Sequence, residues 1–211
     1  MVRTERSYHH GDLRRALVDT GLELARRDGI DSLGLRDITR AVGVSPNAAY
    51  RHFPNRHALV LAVAVEAQQR LARTIDHAMS VRPGRGGPAE RGVTRLRNFG
   101  LAYIGFARAE HGWYELACYT QHAPDDAPAS LDDAEPVPPP HSLLVEALDD
   151  LVAHGVLTRD RRVDAEWVYW AAVEGFTELA TTGPLQGRTD RQLDRLASLT
   201  LNTVIAGLCA P

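Results

Sequence analysis

Apolar side chains recur every three or four residues through most of the chain, which is the spacing of amphipathic helices. The longest stripe is Leu59, Val63, Ala67, Leu71 and Ile75, at intervals of four. No segment alternates apolar and polar residues for long enough to indicate a strand. We therefore expect an all-α protein of about nine helices, near residues 12–27, 35–42, 46–52, 56–79, 89–110, 112–121, 142–154, 164–181 and 189–208.

Several helix ends carry residues that favour them. Asp12 is the expected N-cap of the first helix, and Gly29 is expected to end it. Asn55 is placed to cap the fourth helix. Thr189, with Gln192 three residues later, is the pattern of a capping box at the start of the last helix.

The segment 35–53 (LRDITRAVGVSPNAAYRHF) predicts two short helices joined by a tight turn. Gly43 can supply the left-handed residue that ends the first helix. Ser45 can cap the second, and Pro46 stands at its first position, where a missing N–H costs nothing. This is the pattern of a helix-turn-helix, whose second helix lies in a DNA major groove. The alternative is a helical corner that only packs.

The second helix of this pair carries side chains suited to DNA. Asn47 has an amide that can read an adenine. Tyr50, Arg51 and His52 can donate hydrogen bonds to phosphates and fix the register. Arg36, at the start of the preceding helix, is a further candidate contact.

Charge changes the picture only slightly. The chain has a net charge of −3, but residues 1–60 hold ten arginines against seven acidic residues, and residues 61–211 hold fourteen against twenty. A basic head on an acidic body is expected if only the head meets nucleic acid. The asymmetry is too small to decide the function by itself.

The N-terminal motifs closely resemble a known family. YHHGDLRRAL (residues 8–17), followed by residues 35–59, resembles the DNA-binding domain of the tetracycline-repressor (TetR) family. The resemblance implies a DNA-binding domain over 10–70 and a regulatory and dimerisation domain over 71–211. The implied DNA-contacting set, with the neighbours Pro46 and Arg51 included, is Arg36, Ser45, Pro46, Asn47, Ala48, Tyr50, Arg51 and His52.

Three positions depart from the family pattern. Thr39 replaces a usual alanine and should crowd the corner slightly, Gly34 replaces a Ser or Thr helix cap, and Arg56 replaces a lysine. None of the three removes a donor needed for DNA binding. In the C-terminal part, residues 170–185 resemble a subgroup motif of Trp, three residues, His and Gly, but Glu174 stands at the histidine position.

The C-terminal domain is rich in aromatic residues, some of which can line a ligand pocket between helices. Glu174 is the residue hardest to explain as core, since it either faces solvent or binds something polar. We expect a small-molecule effector near Phe99, Tyr103, Trp113, Cys118, Trp170 and Glu174. The alternative is that these aromatic residues form plain core.

One spacing resembles a metal site: His111, Glu115, Cys118 and His122 lie along one side of a predicted helix. A single helix cannot wrap a tetrahedral ion with ligands spread over three turns, so we expect no metal. We expect no cofactor either. The sequence has no GxSxG, HExxH or phosphate-loop motif, so an enzyme is not expected.

The remaining segments indicate environment and assembly. Residues 123–140 hold six prolines and five acidic residues, a composition that predicts a mobile loop. Cys118 and Cys209 form no CxxC, and no leader or membrane span is seen, so we expect a cytoplasmic protein without membrane partners. The predicted helices 164–181 and 189–208 are apolar nearly all round and need cover on both sides, which predicts a homodimer through them.

Together these features predict a repressor that binds a palindromic operator as a dimer and is released by a small-molecule ligand. The alternative is a DNA-binding regulator without a small-molecule inducer, controlled by a protein partner or by its own concentration.

Overall fold

A computed structural model describes residues 10–81, 86–119 and 137–210, and this part of the chain is helical without strands. The all-α prediction is confirmed. The described helices are α1 (His10–Asp28), α2 (Leu35–Val42), α3 (Pro46–Tyr50), α4 (Arg56–Ser80), α5 (Pro88–Ala109), α6 (His111–Tyr119), α7 (Pro140–Ala153), α8 (Arg159–Arg162), α9 (Ala165–Thr181) and α10 (Asp190–Leu208), with a 3-10 turn at Ile30–Ser32 between α1 and α2.

Most differences from the predicted helices lie at their ends. The helix α1 begins at His10, so Asp12 lies inside it and does not cap it. The helix α3 ends at Tyr50, two residues earlier than expected. The four-residue helix α8 was not predicted; the Thr158 hydroxyl caps it by accepting from the N–H of Arg161. At Asn55 and at the Thr189 capping box the predicted caps are confirmed.

The described residues form two compact units, one of residues 10–68 with 112–119, the other of residues 69–81 and 86–111 with 137–210. The helix α4 begins in the first unit and ends in the second. By its contacts α6 falls in the first unit from Gly112 onward. Its grouping depends on contacts between residues about ninety positions apart, which no local pattern shows. The division of the chain into domains 10–70 and 71–211 stays a prediction.

The first unit packs α1, α2, α3 and the start of α4 around one apolar core. Each helix contributes residues from a single face, as the 3.6-residue period requires. The fully buried members include Leu17 and Leu22 of α1, Ile38 of α2, Ala49 of α3 and Leu59 of α4. The core therefore fixes α3 in the unit through its inner side alone.

The second unit is built around α5, which contacts α7, α9 and α10. Leu96, Phe99 and Tyr103 form its buried face. Ion pairs hold the outside: Arg108 bonds Asp190 and Asp194 of α10, each at 2.6 Å, and Arg162 bonds Asp149 at 2.6 Å and Glu166 at 2.5 Å. The Arg108 pairs connect α5 with α10, and the Arg162 pairs connect the short helix α8 with α7 and α9.

The predicted mobile loop, residues 123–140, lies largely outside the described residues. Its described end is held in place: the Gln69 side-chain amide donates to the carbonyl of Val137 and accepts from its N–H, both at 3.1 Å. Pro140 is buried and is the first residue of α7. The predicted loop therefore extended too far at its C-terminal end.

None of the described helices is long and apolar enough to cross a bilayer.

Candidate nucleic-acid interface and ligand site

The turn between α2 and α3 has the geometry of a helix-turn-helix. Gly43 is left-handed, with φ 82° and ψ 28°, and its N–H bonds back to the carbonyls of Thr39 and Arg40. Val44 also donates to the Thr39 carbonyl, at 2.9 Å. Ser45 then caps α3, and its hydroxyl accepts from the N–H of Ala48 at 3.3 Å. The predicted roles of Gly43, Ser45 and Pro46 in this turn are confirmed.

The outward face of α3 carries the polar residues that the sequence singled out. Asn47, Tyr50 and Arg51 are exposed, and their spacing of three and four residues places them on one side. The Tyr50 side chain is 53% exposed although it is a large aromatic residue. Ser45, Pro46 and Arg36 are also exposed, whereas Ala48 and His52 are half-buried. All eight residues of the predicted DNA-contacting set therefore reach the surface at least in part.

The inward face of α3 is anchored by two residues that the sequence analysis left without a role. Ala49 is fully buried, and Phe53 is buried three residues after the end of the helix. The N–H of Phe53 donates to the Ala49 carbonyl at 2.9 Å. The guanidinium of Arg14 in α1 lies 5.1 Å from the centre of the Phe53 ring, within reach of a cation–π contact. In the sequence, Phe53 directly follows the predicted polar helix 46–52, and this apolar position was the available signal for a buried anchor.

Arg56, where the family pattern has lysine, makes a contact within the unit. Its Nε donates to the carbonyl of Leu33 at 2.8 Å, across 23 residues of sequence. This bond connects the start of α4 to the segment entering α2. Because guanidinium has five N–H donors, the other nitrogens stay available for a phosphate. Sequence alone gave no reason to expect the bond to Leu33.

Gly34 and Thr39, the other two departures from the family pattern, lie at the start of α2 and inside it. Gly34 precedes the helix in an extended conformation and provides no side-chain cap. Thr39 is buried, and its hydroxyl donates to the Arg36 carbonyl at 3.1 Å. The extra polar atom in the corner is thus satisfied within its own helix.

In the second unit the structure brings together four residues of the predicted effector site. The rings of Tyr103 and Trp170 meet edge to face with centres 5.5 Å apart, and Phe99 lies 6.3 Å from each. The hydroxyl of Tyr103 donates to Oε1 of Glu174. Glu174 is half-buried, so it neither points fully into water nor lies inside the core.

Tyr169 continues this aromatic cluster inward. Its ring centre is 6.1 Å from that of Phe99, and its hydroxyl donates to the Leu96 carbonyl at 2.6 Å. Burial raises the pKa of the Tyr169 phenol well above its usual value, which keeps the hydroxyl a donor at any physiological pH. This residue is core, as the plainer sequence interpretation expected of such aromatics.

Trp113 and Cys118, the other two residues of the predicted effector site, belong to the first unit. The indole N–H of Trp113 donates to the Leu22 carbonyl at 2.8 Å, and the Arg26 guanidinium lies 5.1 Å from its ring centre. Trp113 therefore fastens α6 to α1. The assignment of Trp113 and Cys118 to the effector site stays a prediction.

The possible metal ligands of α6 do not assemble into a site in the part of the chain that the structure describes. His122 lies outside the described residues. Within 10–81, 86–119 and 137–210, no group of three or more His, Cys, Asp or Glu side chains is arranged to hold a metal ion.

Two family models match the chain. Residues 17–63 match the model described as "Bacterial regulatory proteins, tetR family", and residues 96–204 match "Tetracyclin repressor-like, C-terminal domain". The first match covers the helix-turn-helix, and the second covers more than half of the chain. Neither description addresses the Trp-His-Gly subgroup, so that assignment stays a prediction.

Individual relatives agree with the family models. A helix-turn-helix-type transcriptional regulator of Mycobacterium bovis is 28% identical over 178 residues, covering 77% of this chain and 67% of that protein. The nicotine-responsive transcriptional repressor of Paenarthrobacter nicotinovorans is 38% identical over 64 residues, 30% of this chain and 33% of that one. A Rhodococcus structure of unknown function has a TM-score of 0.76 at 28% identity, covering 97% of this chain and all of that one. By turn geometry, fold and relatives, this chain belongs to the TetR family of DNA-binding transcriptional regulators.

Proposed function

We propose that the protein is a repressor that binds a palindromic operator as a homodimer and releases it when a small molecule binds its C-terminal unit. The observation that carries the proposal is the two-sided character of α3. Ala49 faces the core, while Asn47, Tyr50 and Arg51 face outward with Tyr50 half-exposed. A five-residue helix with so little buried surface is suited to entering a groove.

Each outward side chain has a distinct role in the proposed complex. Asn47 reads a base edge in the major groove, because an amide can bond an adenine at two points. Tyr50, Arg51 and the half-buried His52 bond phosphates and set the register. Ser45, Pro46 and Ala48 are small, which lets the backbone of α3 approach the DNA. Arg36 contributes a charge from the start of α2.

The proposed dimer is supported by the outer faces of α9 and α10. Val168, Ala171, Gly175 and Leu179 form an exposed stripe of apolar or small residues along α9. Leu199 of α10 is 60% exposed. In a single subunit these faces leave apolar surface in water, and a second copy would cover it.

The effector would bind beside Phe99, Tyr103, Trp170 and Glu174, where aromatic faces and one carboxylate meet. Binding there controls DNA affinity only if the ligand prefers one state of the protein over the other. A coupling of about 1–3 kcal/mol is sufficient for a five- to 150-fold change in affinity. In this proposal the protein acts in the cytoplasm by binding DNA and the effector, and it catalyses no reaction.

The proposal is tested by selecting binding sites from random duplex DNA and measuring affinity for the selected sequence. We expect a palindrome with half-sites about one helical turn apart or a multiple of it. Asn47→Ala should relax the preference at one position of each half-site, because base-edge contacts carry specificity. Tyr50→Ala should weaken binding to all sequences alike. Selection of no palindrome, or base preference unchanged in Asn47→Ala, would refute the assignment.

The second candidate function is a DNA-binding regulator without a small-molecule inducer. The close ring packing of Phe99, Tyr103 and Tyr169 favours it, since these three side chains are almost completely buried. A screen of small molecules by thermal shift separates the two candidates. A ligand that binds only the folded protein must raise its melting temperature.

A further inference from the structure

Trp170 is surrounded by polar and aromatic groups from three helices of the second unit. Tyr103 and Phe99 approach it from α5, and the ring of His141, from α7, lies 6.0 Å away. Glu174 follows Trp170 one helical turn later on α9 and accepts the hydroxyl of Tyr103. Trp170, His141 and Glu174 are each half-buried and form the accessible side of the cluster, whereas Phe99 and Tyr103 lie behind them in the core.

Several groups of this cluster are electron-rich. The faces of aromatic rings carry partial negative charge, and Tyr103 and Trp170 bring two such rings together. Glu174 adds a carboxylate. Because Tyr103 donates its hydroxyl hydrogen to that carboxylate, its oxygen offers only lone pairs to anything else. These groups together favour a positive charge and disfavour a negative one.

A second observation points to a ligand independently of charge. Nε2 of His141 is buried, and within the described part of the chain it has no hydrogen-bond partner. A buried polar atom without a partner costs free energy, and such atoms in folded proteins are few. A ring nitrogen beside Trp170 is well placed to bond an N–H group of a bound molecule.

We infer that this cluster, defined by Phe99, Tyr103, His141, Trp170 and Glu174, binds an organic cation: a protonated amine attached to a flat apolar group. The ammonium pairs with Glu174 and contacts the face of Trp170, while an N–H bonds Nε2 of His141. The inference rests on the proposed function, in which this unit binds an effector, and adds the chemical class of that effector.

The test compares three probes of one shape and different charge on the full-length protein by titration calorimetry. They are 2-phenylethylammonium, 2-phenylethanol and phenylacetate. We expect the ammonium to bind at least about tenfold more tightly than the alcohol, since hydrogen bonds to charged groups are the stronger ones. Phenylacetate should not bind. Equal or tighter binding of the alcohol or phenylacetate, or no ammonium binding at millimolar concentration, overturns the inference.

Two variants locate the site. Glu174→Gln should lower the affinity for the ammonium by roughly tenfold to a hundredfold and leave that for the alcohol unchanged. Glu178→Gln is the matched control, because Glu178 lies one turn further along the same helix and is exposed. An undiminished charge preference in Glu174→Gln overturns the inference.

His141→Phe keeps the ring beside Trp170 and removes the nitrogen. It should weaken binding of 2-phenylethylammonium by several-fold but not that of its trimethylated analogue, which has no N–H to donate. An equal decrease in affinity for both probes shows that His141 acts only through packing and contradicts its assigned bond.

DNA release is measured separately, by fluorescence anisotropy of the selected palindrome. A neutral or anionic compound that binds and releases DNA defeats the inference and leaves the proposed function standing. Tight ammonium binding without any release supports the inference and defeats the proposed ligand control.

Discussion

At the scale of single residues, two glycines of α5 differ in how much space surrounds them. A Cβ added to Gly100 would lie 2.5 Å from Cδ2 of Leu201 and 2.7 Å from the hydroxyl oxygen of Tyr169. Leu201 is fully buried, and that hydroxyl is fixed by its bond to Leu96, so neither can move away freely. At Gly105, five residues later, an added Cβ would meet nothing within 4 Å.

Gly100→Ala should therefore destabilise the protein by about 1–3 kcal/mol, the usual cost of overpacking a filled core. Gly105→Ala should be neutral or stabilising by up to about 1 kcal/mol, because alanine is the better helix former. Urea unfolding followed by circular dichroism measures both free energies. Equal effects of the two substitutions would show that the core around Gly100 has room for a methyl group.

Individual side chains also show which contacts can be predicted from the sequence and which cannot. Gly43, Ser45 and Asn55 were assigned from neighbours within three residues, and the structure agrees because caps and turns are local. Glu174 was left undecided between solvent and a polar partner. Its bond to Tyr103 spans 71 residues of sequence, and a single sequence does not indicate such a pairing.

At the scale of helices, α6 is an element whose contacts lie far away in the sequence. Its first turn packs directly against the backbone of α1, since a Cβ added to Gly112 would lie 2.0 Å from the Ala25 carbonyl oxygen. Trp113 bonds the Leu22 carbonyl next to this contact. The DNA-binding unit therefore includes a helix that follows the N-terminal motif by some sixty residues.

Trp113→Phe should destabilise the first unit by about 1–2 kcal/mol, because it removes a buried hydrogen bond and weakens the contact with Arg26. For a chain of this size we expect the melting temperature to fall by roughly 2–8 °C. Trp167→Phe is the control, since Trp167 is 57% exposed and donates no hydrogen bond among the described residues. A melting temperature of Trp113→Phe within about 1 °C of the control would contradict this fastening role, given about 2–4 °C per kcal/mol.

At the scale of the whole molecule, α10 has an inner face and an outer face, which its composition alone does not distinguish. The sequence shows apolar residues nearly all round this helix. In the structure Leu193, Ala197, Leu201 and Ile205 are buried, whereas Leu199 stays 60% exposed. The inner face belongs to the core of the subunit, and the outer one is the surface proposed for the dimer.

Leu199→Arg should yield folded monomers, because it places a charge in the proposed interface and leaves the subunit core intact. Leu201→Arg should instead unfold or aggregate the protein, since it buries an unpaired charge inside one subunit. Light scattering after size exclusion, with circular dichroism, distinguishes these outcomes. An intact dimer for a folded Leu199→Arg protein would move the interface elsewhere.

The proposed binding of DNA by the outward face of α3 can be measured through the salt dependence of operator binding. Each phosphate that the protein neutralises releases counterions, so the logarithm of affinity falls linearly with the logarithm of salt concentration. Arg51→Ala should weaken binding and make this slope shallower by about one unit for each phosphate that Arg51 neutralises. Arg188→Ala, which removes an exposed arginine of the second unit, should leave both affinity and slope unchanged. If Arg51→Ala kept the affinity and the slope of the unaltered protein, the assignment of α3 as the DNA-gripping helix would be contradicted.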